Sequence, residues 1–463
     1  MNKNLLVKIL TLLVIASFVL AACGAPATEA PAEEAATEAP AEEVATEESV
    51  AEETGEEVEI RWRTRPDNQE EIDVYSQIST ELDGELDGIT LTYEPGGSEG
   101  ANYQDQLRAE IAAGTAPDVF WIPGTDVADF ATRGLILNAA DLAAATEGYT
   151  AADFYAGPMF HLTYNPKTGA SGDGSGAVWG LPRDVSTFAL YLNLDLIAEA
   201  GAADPRELAA NGEWDWEAFL EVSQATRALG SDIYGYGASA WWGPYGVWLN
   251  ASGGGFFTED RAACALNTEE SLAGLDFQRS LYQDYDVAVP YGEDPEPPFR
   301  AGKVAMFQNG RWATPGVRTV DFNWDVVELP TGPNGPGNWL FWGAYVINAN
   351  TEHPEEAWAL VQALTTAQTQ GKISALGANI PSRVSQEALD AFLTFTPPAN
   401  NQAFLNGIAP AAAPTAEGPL WAGSWPEFDK IMGPAIQGVL TGSTSVDDFG
   451  ATICDEANKA FNQ

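Results

Sequence analysis

From residue 58 onward the chain switches between two hydrophobic periods, and the switches lay out its elements. The stretch "VEIRWRTRP" (58–66) alternates apolar and polar positions like a half-buried strand and stops at Pro66. "NQEEIDVYSQISTEL" follows with Ile72, Tyr75, Ile78 and Leu82 at helical spacing. "GITLTYEP" (88–95) predicts a second strand, "YQDQLRAEIAAG" (103–114) a second helix closed by Gly114, and "APDVFWIPG" (116–124) an apolar third strand. Strands alternating with helices predict an α/β fold, a mostly parallel sheet covered on both faces. Ligands of such sheets sit beyond the carboxyl ends of the strands. Here those ends are residues 63–66, 94–99 and 121–125.

Further on, "GAVWGLPRDVSTFALYLNLDLIAEAG" (176–201) predicts a strand that crosses into a second region and then enters a helix. "WDWEAFLEVSQATRAL" (214–229) is an amphipathic helix pattern. "YGYGASAWWGPYGVWLNASGGGFF" (234–257) has no clear period and is expected to be a Gly-rich aromatic loop. In "PPFRAGKVAMFQNGRWATPGV" (297–317) a helix end, a glycine turn and a strand over 304–307 are expected, with Trp312 just beyond.

The N-terminus follows different rules. Lys3 and Lys8 flank the start of an apolar run over 9–20, too short to span a bilayer comfortably, as in a secretory signal. Leu20-Ala21-Ala22-Cys23 resembles the bacterial lipobox, which implies cleavage after residue 22 and lipidation of Cys23. Residues 24–57 hold twelve Glu, no Lys or Arg and no aromatic residue. Such a segment has too little to bury to offset its ordering entropy, so a disordered tether is expected over 23–57.

Composition then narrows the function. Aromatic residues make up 11% of the chain, with 15 Trp, enough for a sizeable core. The net charge is −46, and the part beyond the tether stays strongly acidic. Such a body repels phosphate backbones, which excludes nucleic acid as a partner, and its charge is read as solubility. With Cys23 lipidated, Cys264 and Cys454 remain as an even pair in an exported protein. A disulfide is expected, the alternative being two buried thiols. Two distant histidines and two paired cysteines leave few ligands for a metal, so no metal and no cofactor are expected. Gly96-Gly97-Ser98-Glu99-Gly100 fits G-x-S-x-G, but only His161 and His353 could serve a triad, and the run is read as a turn.

At "FRAGKVAMFQNGRW" the chain resembles the extracellular solute-binding lipoproteins of bacterial ABC importers, carbohydrate-binding family 1, the group that includes maltose-binding protein. "AAGTAPDVFWI", "GLPRDVSTFALYLNLDL", "WDWEAFLEVSQ", "GGGFFTED", "FNWDVVELPTGPNGPG", "GAYVINANTEHPEEAWALVQALTTAQTQ" and "GSTSVDDFGATICDEANKAF" match in the same order, so the resemblance runs from about residue 58 to the end. It implies a two-lobed, type II periplasmic-binding-protein-like fold with the ligand cleft between lobes. Carried over, lobe 1 takes 58–184 and 344–415 and lobe 2 takes 185–343 and 416–463, with Cys264 and Cys454 both in lobe 2. The implied function is capture of a mono- or oligosaccharide by hinge closure and delivery to the permease, by a monomer lipid-anchored outside the cytoplasm. An extracellular glycoside hydrolase and a binder of a polyol or other non-sugar solute are the alternatives. A hydrolase would need two carboxyl groups about 5–10 Å apart.

A pyranose has an apolar C–H face that suits an aromatic plane, so the resemblance directs attention to tryptophans. Trp312 in "NGRW" matches the family's sugar-stacking position. Trp242 is expected in the cleft wall with Trp241 facing core, or the reverse. Trp342, beside Gly343 in "LFWGAY", and Trp425 in "GSWPEF" complete the aromatic set. Asp184 and Ser186, after Pro182, are candidates to bind hydroxyls, and Arg65, Trp121 (or Gly124 and Thr125), Tyr103 and Glu99 are the remaining ones. Where maltose-binding protein has Asp-Lys after its first strand this chain has Pro66-Asp67, so that contact does not carry over.

Overall fold

The computed structural model describes residues 57–97, 100–258, 263–408 and 425–462. The signal sequence, Cys23, the tether up to residue 56, Ser98, Glu99 and the expected 415/416 boundary lie outside them. Among the described residues ten strands form two sheets: β1 (Val58–Thr64), β2 (Ile89–Pro95), β3 (Val119–Pro123), β4 (Leu181–Ser186), β5 (Ala189–Asn193), β6 (Tyr234–Ala238), β7 (Val304–Asn309), β8 (Trp324–Val327), β9 (Phe341–Ile347) and β10 (Ile380–Pro381). The first sheet has the order β10-β4-β9-β3-β1-β2 and the second β6-β7-β5-β8.

β1 pairs parallel with β2 and β3, while β9 runs antiparallel between β3 and β4. The carboxyl ends of β1 to β4 therefore share one edge with the start of β9. Between β1 and β2 runs the helix Gln69–Asp83. Asn68 caps it by accepting the Glu71 N–H, and the Glu71 carboxylate accepts the Asp67 N–H at 2.9 Å, a reciprocal cap. Its buried stripe of Val74, Tyr75, Ile78 and Leu82 covers the sheet; of the four positions the periodicity marks, Ile72 is left half-buried.

After β4 the chain changes sheets through Thr187 and Phe188. The positions 184/185 and 343/344 lie inside β4 and β9, whose ladder continues to Ser186↔Phe341. In the second sheet, Ala189 at the start of β5 pairs with Asn309, and Ala238 at the end of β6 pairs with Gln308. That edge, with the turn after β7, adjoins the edge of the first sheet described above.

The segment 234–257 departs from the expected loop: it holds β6 and the helix Trp242–Ala251. Pro244 sits in the first helical turn, where no N–H partner is needed. The helix is apolar all round because it is buried all round, which leaves no amphipathic stripe to read. A Cβ at Gly246 would lie 2.5 Å from the Trp339 ring, so the glycine admits that indole against the helix backbone.

One core, including Trp62, Phe120 and Tyr345, lies about the first sheet and continues to Tyr191 and Phe307 of the second, and another, including Phe219, Tyr236, Trp248 and Met306, lies about the second. The helix Trp425–Leu440 returns Phe428, Met432 and Ile436 to that second core. A disulfide joins Cys264 to Cys454, on the helix Val446–Ala457, with Cα atoms 5.3 Å apart.

Candidate functional site

Where the two sheet edges meet, aromatic rings from both sides converge. Phe188 of the crossing and Phe341 at the start of β9 pack at 4.5 Å between ring centroids. Trp312 lies 6.0 and 5.7 Å from these two rings, and Trp241 lies 5.8 and 5.5 Å from them. Both indoles are half-buried, and Trp312 packs against both cores. The short turn Arg311–Ala313 carries Trp312, and the Arg311 N–H donates to Ser186 Oγ at 3.0 Å, tying that turn to the end of β4. Gly310 is required here: a Cβ would stand 2.2 Å from the Trp312 ring.

Beside these rings the first sheet presents a polar edge. Arg183, 7% exposed, donates to the Asp184 carboxylate at 2.7 Å. Burial works against its charge, but Asp184 and the phenols of Tyr75 and Tyr345 hold it above the usual arginine range. Its guanidinium lies 4.8 Å from the Trp121 ring centroid and that of Arg65 lies 5.4 Å from the same ring. Gly343 makes room for this indole, since a Cβ there would be 1.9 Å from Trp121 Nε1. Arg183 Nε and Nη1, Trp121 Nε1 and Arg65 Nε are buried donors with no acceptor among the described residues. Such a wall offers donors to oxygen-rich solutes.

The structure thus brings Trp312, Ser186, Asp184, Trp121, Arg65 and Gly343 to one edge. Asp184 is occupied by Arg183, and the close approach at Gly343 is taken by Trp121. Strand alternation puts Trp342 on the opposite face from Phe341 and Gly343. There it lies against Gly124 and stacks on His161 at 6.0 Å. Trp242, on the first turn of its helix, packs with Trp339, Phe256 and Trp425. Trp425, 5% exposed, sits in this aromatic core with Phe257 and Phe428. Tyr103 is buried and donates to the Trp121 carbonyl at 2.9 Å.

Sequence reasoning missed Arg183 and Arg311. A charged residue in the apolar run "GLPRDVSTFAL" was the available signal for the first. Arg311 is fully buried against Phe392, Phe395 and Phe404, at 4.9, 5.0 and 5.6 Å, with no carboxylate partner among the described residues. Burial lowers it to about 10.

The sequence matches the family described as bacterial extracellular solute-binding protein over residues 80–397. A binding protein of Brucella abortus (strain 2308) is 23% identical over 399 residues, 83% of this chain and 88% of that protein. The maltooligosaccharide ABC transporter solute-binding lipoprotein of Streptococcus pneumoniae (strain ATCC BAA-255 / R6) is 25% identical over 323 residues, 66% of this chain and 70% of that protein. Among solved structures, the ABC substrate-binding protein Lmo0181 from Listeria monocytogenes in complex with cycloalternan has a TM-score of 0.75 at 18% identity, covering 88% of this chain and 99% of that one. At that identity the likeness establishes the fold, a two-lobed α/β architecture.

Proposed function

The chain belongs to the bacterial extracellular solute-binding proteins, and from that premise we propose that it captures a mono- or oligosaccharide for an ABC importer. One observation carries the choice of solute. Two half-buried indoles, Trp312 and Trp241, flank Phe188 and Phe341 where the two lobes meet, beside a wall of buried donors. An aromatic plane accepts the C–H face of a sugar, and the donors satisfy its oxygens. Trp312 and Trp241 stack, Trp121 and Arg65 form the wall of lobe 1 with Arg183, and Asp184 and Ser186 orient their neighbours. The names of the S. pneumoniae and L. monocytogenes proteins favour the same class of solute.

Solute bound between the lobes favours the closed form by its differential affinity, and a permease that recognises this form receives the sugar. The lobes are divided near Ser186 and Phe341, the protein acts as a monomer, and Cys23 carries the lipid that holds it at the membrane. No helix among the described residues is long and apolar enough to cross a membrane. The solute is released unchanged in this reading.

A thermal-shift screen against mono- and oligosaccharides tests it. A true solute at 100 times its dissociation constant adds roughly 2.7 kcal/mol. Stabilisation by a sugar is expected, with no new reducing ends after incubation. New reducing ends would establish a glycoside hydrolase, and stabilisation by polyols alone would move the solute class.

A further inference from the structure

Away from the indoles, the seam between lobes gathers carboxylates. Asp67 follows β1 and begins the cap of the helix Gln69–Asp83, which also carries Glu70 and Glu71. Facing them from the second lobe are Asp294 and the helix Glu296–Arg300. The meeting point is Gly316. A Cβ there would lie 2.6 Å from Glu296 Oε1, 3.0 Å from Asn68 Nδ2 and 3.2 Å from Arg300 Nη1. Arg300 reaches across the seam to Glu70 at 3.0 Å and back to Glu296 at 3.5 Å.

We propose that this seam is a proton-operated catch: proton uptake at Glu296 draws the lobes together, and proton loss holds them apart. The proposal rests on the hinge reading above. Among the described residues, Asp67, Glu70, Glu71, Asp294 and Glu296 are balanced there by Arg300 and by Arg65, which sits 3.7 Å from Asp67. Arg183 also reaches Asp67 and Glu71 with its field, but it is committed to Asp184. From β5, Tyr191 is the remaining titratable neighbour coupled to Glu296, and it is neutral across the range that matters. Like charges brought together at a half-buried seam oppose closure unless one is neutralised.

The sign follows from burial. Desolvation lifts Glu296 to about 7 from an ordinary 4.5, Asp67 opposite adds to the rise, and Arg300 opposes it. Buried beneath Asp67, Glu71 is lifted to about 8 by its own burial and then by Asp67, so it adds little charge near neutrality. In the open form Glu296 regains solvent and loses Asp67, so its value falls back toward the ordinary one. Closure therefore takes up a proton. It is favoured at low pH, and that preference is lost as pH rises through the window from about 4.5 to about 7. Within the window the closed-to-open ratio changes by at most about tenfold per pH unit.

The test needs no solute. Nitroxides at Asp87→Cys on the first lobe and Glu199→Cys on the second, both exposed positions, report interlobe distance in the full chain in detergent. Pulsed electron resonance at pH 5.5 and 8.5 should show two distances, with the shorter more populated at pH 5.5. Glu296→Gln should hold the shorter one at both pH values, and Asp67→Asn should shift the response to lower pH. Two distances in pH-independent proportion, or a response that survives Glu296→Gln unchanged, would overturn the catch and leave the hinge. A single distance under every condition would overturn both.

Discussion

Trp312 has one ring against two cores, and its replacement separates binding from packing. Loss of a stacked aromatic costs roughly 1–3 kcal/mol of affinity, about 5- to 150-fold. We expect Trp312→Ala to weaken binding of the sugar found in the screen by that much, with a small change in melting temperature because the ring is half-buried. Calorimetric titration and melting of one sample check it; a collapsed melting temperature with unchanged affinity would assign Trp312 to the core. Gly343→Ala probes the wall of the first lobe. The added methyl would sit 1.9 Å from Trp121 Nε1, so the indole must leave its place beside Arg65 and Arg183. Overpacking of this kind costs about 1–3 kcal/mol of stability. Weaker sugar binding should accompany the lower melting temperature; unaltered affinity would remove Trp121 from the site.

At the scale of elements, what the sequence revealed depended on period. The helix Gln69–Asp83 was legible because its apolar residues recur every three or four positions and its cap is local. The helix Trp242–Ala251 was not, because burial on every side erases the stripe and Gly and Pro imitate a loop. The site shows the same limit in another form. On β9 the choice between Phe341 and Trp342 is one of strand parity, and a shift of one residue exchanges the two faces. The motif "LFWGAY" singled out Trp342 beside Gly343 but did not fix which ring meets the second lobe. The disulfide, by contrast, followed from counting cysteines in an exported chain. It fastens the segment after one helix to another helix packed in the same core, across 190 residues. Removing it by Cys264→Ser with Cys454→Ser should cost about 2–5 kcal/mol in denaturant unfolding, with interlobe distances unchanged. An equal midpoint in both proteins would mean that packing alone holds this lobe.

At the scale of the whole molecule, the proposed anchor would sit at the end of a capture body. Lipidated Cys23 and a Glu-rich tether would keep the body near its permease while leaving it free to turn. Cys23→Ser should move the protein from the membrane fraction to the medium or periplasm; a variant that still pellets with membranes would show that another contact holds it. β9 has a further consequence for the body, because it lies in the middle of the first sheet between β3 and β4. A chain emerging through an export channel has delivered every strand of the second sheet before this strand arrives. The second lobe must itself wait for Phe428, Met432 and Cys454 near the end of the sequence. Neither half can be completed early, so the order of emergence gives no head start to either. A chain stopped after Leu340 should remain open to protease along its length. The body therefore folds as one late event, whatever its N-terminal end is attached to.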